Sequence, residues 1–294
     1  MKPPKFEYFA PVTLSEATAL LDQYGDDAKV LAGGQSLMPL LNMRLVRPEV
    51  VVDINRISQL QYISMTPDGG LAVGALTRQR EVEFSSSVRE TIPLLAAALP
   101  SIGHVPIRNR GTVGGSMVHA DPAAELPAVS VALGAEFVLT ATGNQRVVPA
   151  ADFFLGYLTT AMEPAEVLTV VRFPALTGGW GWGFQEVCRR EGDFAMVGAV
   201  TLVQLDEDHF CRNARIIMFG VGGSPVRVEQ AEEILVGRQV SSRTVQDVAR
   251  LVSEQLEPVS DIHASAQYRK EVGGVLARRT LEAALDRAEG VASQ

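Results

Sequence analysis

Thr112-Val113-Gly114-Gly115-Ser116-Met117-Val118-His119-Ala120-Asp121-Pro122-Ala123-Ala124-Glu125-Leu126-Pro127 is the stretch on which the reading of this chain turns. Its glycine pair lets backbone amides approach a ligand that a Cβ would hold off, and consecutive N–H groups form an anion cradle. Thr112 and Ser116 flank the pair with hydroxyl donors. Asp121 and Pro122 stand where a helix over 123–133 would begin, in the usual N-terminal order. Upstream, Ala32-Gly33-Gly34-Gln35-Ser36-Leu37 repeats the theme after a short apolar strand, Lys29-Val30-Leu31-Ala32. Taken alone, the first pair reads as a tight turn. It has neither the Gly-Lys-Ser/Thr ending of a P-loop nor the G-x-G-x-x-G of a Rossmann turn. Two cradles in one chain suit two linked phosphates, so a dinucleotide is the expectation they raise.

The carboxylates beside the second pair point elsewhere. Asp121 and Glu125 are poor neighbours for phosphate and good acceptors for sugar or ribityl hydroxyls. As purely structural residues they would cap the 123–133 helix and complement its dipole. Asp121 fits that role well; Glu125, a turn further in, fits it less well.

Working outward, Thr13-Leu14-Ser15-Glu16 has capping-box spacing, and Ala17, Leu20, Leu21 and Tyr24 share one helical face before Gly25 stops the helix. Val50 to Ile54 is a β-branched strand that closes a small α/β unit near residue 55. Residues 61–65 and 71–75 flank Pro67-Asp68-Gly69-Gly70 as a hairpin, and 137–140 and 145–148 flank Thr142-Gly143-Asn144 as another. A buried helix over 93–99 lies between them, and 167–171 is a further strand. Turn residues cluster at Pro174 to Gly179 and mark a boundary. Beyond it the pattern gives strands at 182–187, 195–205 and 214–221, then helices at 226–236, 242–255 and 264–288. Strands followed by helices predict an α+β unit with helices on one sheet face. Gly220-Val221-Gly222-Gly223-Ser224-Pro225 reads as a turn, and Phe194 by periodicity alone reads as core.

Composition narrows the functions open to this chain. At 294 residues it has room for two domains. The net charge of −8 argues against nucleic acid or an anionic membrane as partner, since both need a basic face. A polyphosphate would then depend on local amides and dipoles. The two cysteines, Cys188 and Cys211, cannot hold a four-cysteine iron–sulfur cluster, and the four scattered histidines show no metal-ligand spacing. No metal site and no acid–base catalytic pair is expected in this chain. The absence of a secretion signal or an apolar run of spanning length predicts a cytoplasmic protein without membrane insertion.

On these motifs, together with Arg189-Arg190-Glu191-Gly192-Asp193-Phe194-Ala195 and the late Tyr268-Arg269-Lys270 and Leu276-Ala277-Arg278-Arg279, the chain resembles the FAD-binding medium subunits of molybdenum hydroxylases. That group includes carbon monoxide dehydrogenase and the flavin segment of xanthine dehydrogenase. The resemblance implies an α+β chain: a two-part N-terminal FAD-binding domain of the PCMH type over 1–175, with parts about 1–55 and 56–175, then a C-terminal domain over 176–288. The latter would be a three-stranded antiparallel sheet with helices.

It also implies that Ala32, Gly33, Gly34, Gln35, Ser36 and Leu37 bind the FAD pyrophosphate with Thr112, Gly114 and Gly115. Ser116, Glu125 and Asp121 would hold the flavin end and its ribityl chain. Leu168 would pack on the ring, Phe194 would shield the isoalloxazine, and Ile102 would add an apolar contact. The sequence departs from many relatives in carrying Gln35 where they have His, and from some in carrying Gln185 where they have Lys. The implied function is an oxidoreductase subunit of a heterotrimer that relays electrons from a partner's [2Fe–2S] clusters through FAD to an external acceptor. Molybdopterin and the clusters would reside in large and small partner subunits. A stand-alone FAD-dependent oxidoreductase is the alternative.

Overall fold

Thr13 accepts the Glu16 amide while the Glu16 carboxylate accepts from the Thr13 amide, so the first helix starts where its capping box is written. The computed structural model describes residues 2–176 and 178–292. Met1, where the first expected domain begins, and Thr177, within the expected boundary segment, lie outside the described residues.

The N-terminal unit is β1 (Glu7–Phe9), α1 (Leu14–Tyr24), β2 (Ala28–Leu31), α2 (Leu37–Asn42) and β3 (Val50–Asp53). Its strands form a parallel sheet in the order β1-β3-β2. The valines of β3 are buried on both faces, as a central parallel strand requires. β1 is the strand that the sequence pattern does not reveal.

The second unit begins with the hairpin β4 (Ile63–Met65) and β5 (Leu71–Gly74). A run of short helices follows: α3 (Gln79–Phe84), α4 (Ser86–Thr91), α5 (Pro93–Ala98), α6 (Val105–Arg110), α7 (Val113–His119) and α8 (Glu125–Leu133). Then come β6 (Glu136–Ala141), β7 (Asn144–Pro149), α9 (Ala150–Phe153), β8 (Phe154–Gly156), β9 (Thr159–Thr160) and β10 (Val167–Phe173). The principal sheet is antiparallel in the order β4-β5-β10-β6-β7.

The C-terminal unit has β11 (Trp180–Cys188), β12 (Ala195–Leu205), β13 (Cys211–Phe219) and the short β14 (Val226–Arg227), all antiparallel. Three helices follow: α10 (Glu229–Leu235), α11 (Ser242–Gln255) and α12 (Ala266–Ala292). The expected three-stranded sheet is thus three long strands with a two-residue fourth at the edge. Strand period two explains the continuous apolar run of β12. Val197, Ala199 and Val203 pack with the helices, while Val200 and Leu202 join the core of the second unit. The C-terminal sheet is therefore covered on both faces. One core, including Leu95, Val129, Phe137, Leu202 and Phe219, runs across from unit to unit and fixes their relation.

Candidate cofactor site

The first glycine segment leaves the end of β2 and enters α2. Gly34 sits at φ +73°, a left-handed conformation that favours glycine. The Gln35 side chain turns back and donates to the Gly33 carbonyl at 3.1 Å. Ser36 occupies the N-cap position of α2, yet its hydroxyl makes no capping bond. Among the described residues, no acceptor partners the backbone amides of Gly33, Gly34, Gln35, Ser36 or Leu37. Successive amides of this kind form an anion-binding concavity at the head of a helix.

The second segment differs. Thr112 is the N-cap of α7, and its hydroxyl accepts the Gly115 amide at 3.1 Å. Val113 donates to the Thr77 carbonyl at 3.0 Å, Gly114 to Ala75 at 2.9 Å and Ser116 to Thr112 at 3.2 Å. Every amide from Val113 to Ser116 already has a partner inside the protein. The second glycine pair is a capped helix start rather than an open cradle. Gly114 is glycine because a Cβ there would lie 2.8 Å from the Ala75 carbonyl oxygen. The expected reason, backbone access to phosphate, is replaced by packing against the end of β5.

The two segments nevertheless meet. A Cβ on Gly33 would strike the Arg110 carbonyl and lie 2.9 Å from the Gly111 Cα, so the first loop rests directly on the residues leading into Thr112. Arg78 also joins them: its guanidinium donates to Arg110 O at 2.7 Å and to Asn55 Oδ1 at 2.8 Å. Asn55 in turn donates to the Ala32 carbonyl at 2.6 Å. Sequence reading missed Asn55 and Arg78 because neither belongs to a local motif.

Beyond α7, Ala120 takes a left-handed conformation and reverses the chain. Asp121 then accepts the Ala123 amide at 2.9 Å in a local turn, and Ala124 is the N-cap of α8. The helix expected from Ala123 accordingly starts at Glu125, and Asp121 closes the turn before it instead of capping it. Glu125 is buried. Burial, with the Glu186 charge added to it, pushes its carboxyl up to about 8. Glu186, on β11, is raised to about 7 by burial, and its buried Oε2 has no hydrogen-bond partner among the described residues. A buried carboxyl with an unmatched oxygen accommodates a ligand hydroxyl, and is costly without one.

Asp121 and Phe194 line a cavity of about 690 Å³ together with Pro122, Arg189, Gly220 and Arg269. Phe194 is 68% exposed, so it belongs to the wall of this cavity and not to the core that periodicity suggested. The segment at Gly220 read from the sequence as a simple turn also lines it, and the Gly220 amide donates to the Pro122 carbonyl at 2.8 Å. Arg269 is buried and donates to the Gly220 carbonyl and to Asp261, each at 2.7 Å, which ties α12 to the same wall. Leu168 and Ile102 are buried in the core of the second unit. Leu168 stands beside a bulge in β10, where Thr169 O accepts the Ala75 amide and so links β10 to the second segment. The structure thus gathers most of the expected residues into two groups, the joined glycine segments and the cavity wall of Asp121 and Phe194, and leaves Leu168 and Ile102 in the core of the second unit. Glu125 lies near enough to Asp121 to feel its charge.

The chain matches the profile of the FAD binding domain in molybdopterin dehydrogenase over residues 4–176 and that of the CO dehydrogenase flavoprotein C-terminal domain over 182–284. It is 42% identical to the 6-hydroxypseudooxynicotine dehydrogenase complex subunit alpha of Paenarthrobacter nicotinovorans, covering 98% of this chain and 97% of that one. Caffeine dehydrogenase subunit beta of a Pseudomonas strain is 41% identical with the same coverages. Among solved structures, carbon monoxide dehydrogenase from Hydrogenophaga pseudoflava, in a form lacking the Mo-pyranopterin moiety of the molybdenum cofactor, superimposes with a TM-score of 0.94 at 38% identity. That likeness covers 98% of this chain and 99% of the matched chain. Among the described residues, no helix is long and apolar enough to cross a membrane.

Proposed function

The chain belongs to the FAD-binding medium subunits of the molybdenum hydroxylases, and we propose that it binds FAD across its two glycine segments and carries electrons between a partner's [2Fe–2S] clusters and an external acceptor. The observation that carries the site assignment is the run of unpartnered amides from Gly33 to Leu37, braced against Arg110 and Gly111. The residues fit the group: the open amides suit a pyrophosphate, and the buried carboxyls of Glu125 and Glu186 suit hydroxyls. FAD, when bound, supplies reversible one- and two-electron chemistry.

The chain's own residues would bind, orient and shield. Ala32 to Leu37, with the Ser36 hydroxyl, hold the pyrophosphate. Thr112, Gly114, Gly115 and Ser116 form a rigid wall beside it, fixed by the bonds to Ala75 and Thr77. Glu125, protonated near neutrality, donates or accepts a hydrogen bond at the ribityl chain, and Asp121 stands at the neighbouring cavity. Phe194 covers the flavin face from that cavity, while Leu168 and Ile102 support the ring from the core. The division at about residue 175 places the glycine segments in the first domain, 1–175, and Phe194 in the second, 176–288. Large molybdopterin-binding and small iron–sulfur subunits are the proposed partners. The two cysteines, Cys188 half-buried and Cys211 buried, leave the cluster to another chain.

Expressed with the neighbouring genes, the protein should purify yellow and in stoichiometric complex with a molybdenum subunit and a cluster-bearing subunit. A colourless protein that FAD cannot reconstitute refutes the flavin site. A yellow protein that oxidises a substrate unaided, with no partner bound, supports the stand-alone oxidoreductase instead.

A further inference from the structure

We propose that Arg78 is a positioning residue for the dinucleotide site, a strut that sets the distance between the two glycine segments without touching the ligand. The inference rests on the FAD reading given above. Its evidence is a continuous chain of bonds. Tyr8 donates to Asp53 Oδ2 at 2.6 Å, and Asp53 Oδ1 accepts both the Asn55 amide and its side-chain nitrogen, at 2.9 and 2.6 Å. Asn55 then grips the Ala32 carbonyl at 2.6 Å and presents Oδ1 to Arg78 at 2.8 Å. The other arm of the guanidinium holds Arg110 O at 2.7 Å.

The two ends of this chain are informative. Ala32 immediately precedes the unpartnered amides, and Arg110 O is the atom against which Gly33 is seated. The strut therefore ends on the two backbone segments that must keep a fixed spacing for the amides to converge on one anion. The backbone of Arg78 is also bridged to Thr112, and the adjacent Gln79 amide donates to Gly111 O at 2.9 Å, so the root of the side chain is itself anchored to the second segment. A planar guanidinium satisfies two acceptors on different segments at a set separation, whereas a lysine ammonium is a compact point charge and does not reproduce that fork. Arg78 thus acts through geometry, and Asn55 is the necessary other half of the device.

The test is a double-mutant cycle in the flavin-stripped full chain, read as the FAD dissociation constant by titration. Arg78→Ala and Asn55→Ala should each weaken FAD on the order of tenfold, and the double variant should be no weaker than the worse single one, as expected of residues in one network. Arg78→Lys should keep the melting temperature near the wild-type value and still bind FAD weakly. Additive losses would mean that Arg78 acts independently of Asn55, through the phosphates or through general stability, and overturn the proposal. So would restoration of affinity by lysine, or unchanged affinity in the singles. A second readout needs no cofactor: amide exchange over residues 108–116 should quicken in both single variants of the flavin-free protein, and unchanged exchange there overturns the strut. If Arg78→Ala does not fold, Asn55→Ala and Arg78→Lys decide the matter. Wild-type protein that takes up no FAD refutes the flavin reading, while the exchange readout still judges the strut.

Discussion

Among the described residues, the amides of Gly33 to Leu37 have no partner, whereas those of Val113 to Ser116 are all consumed within the fold, although each segment presents a glycine pair with serine close behind. The first pair leaves a strand through a left-handed glycine and keeps its donors open. The second pair lies inside the first turn of a helix whose N-cap is threonine and whose glycine is pressed on β5. A glycine pair therefore has two uses: to free amides for a ligand, or to bring two backbones together. Only the hydrogen-bond partners tell them apart. In this protein the two uses are complementary, because the packed segment is the surface on which the open one is seated.

The largest effect should come from Gly114→Val. Its side chain has to displace Ala75, which costs about 3 kcal/mol as overpacking against backbone. Chemical denaturation should show that loss in flavin-free protein, with FAD affinity falling as a consequence. A variant of normal stability that merely loses FAD would make the second segment a cradle like the first.

Next in size is a pH effect from the carboxyls beyond the second segment. Folded Glu125 and Glu186 hold their protons up to about 8 and about 7, against an ordinary value of 4.5. Between these values the folded state binds more protons than the unfolded one, so stability falls as pH rises through the window and the penalty vanishes below about 4.5. His119, lowered by burial from 6.5, works in the opposite direction. The decisive quantity is thus the difference between wild type and Glu125→Gln. The melting temperature of the flavin-free variant should gain on wild type steadily from about pH 5 to about pH 8.5. A constant difference would show that Glu125 is an ordinary carboxylate.

A matched pair of hydroxyl deletions separates the segments more finely. Thr112→Ala removes a helix cap and should cost about 1 kcal/mol of stability. Ser36→Ala removes no capping bond and no hydroxyl bond among the described residues, so the melting curve should stay put while FAD binding weakens by about 1 kcal/mol. Reversal of that pattern would exchange the roles of the two segments. Phe194→Ala also leaves the fold nearly untouched. Its exposed ring should leave stability within about 0.5 kcal/mol of wild type, while the fluorescence of the bound flavin changes. Unaltered flavin fluorescence would remove Phe194 from the site.

Much of this was written locally. The capping box at Thr13 and Glu16, the turn chemistry at Asp68 to Gly70 and the long apolar strands placed α1, the first hairpin and the C-terminal sheet within a few residues. Helix α7 was not legible because two glycines depress helix propensity, and what rescues it is the Thr112 cap with the packing on Ala75. The start of α8 moved to Glu125 because the Asp121 carboxylate is spent on the turn. β1 has three residues and exists by pairing with β3. Cys211 and its neighbours extend β13 by pairing with β12, beyond the apolar run that marks its later part. At the candidate site, the glycine motifs are legible in the sequence, but the state of their amides is not. Asn55 and Arg78 act through partners distant in sequence, and no local pattern announces them. Arg269 stands in a motif the sequence shows, but its bond to the Gly220 carbonyl and the burial of Glu186 come only with the fold.

The most direct test is residue-resolved amide exchange of the full chain with and without FAD. In the flavin-free protein, Val113 to Ser116 should exchange slowly and Gly33 to Leu37 quickly. On adding FAD, the amides from Gly33 to Leu37 should become protected while those from Val113 to Ser116 change little. If instead the second segment were unprotected in the flavin-free protein and gained protection on binding, with the first unchanged, the assignment of open and closed glycine segments would be contradicted.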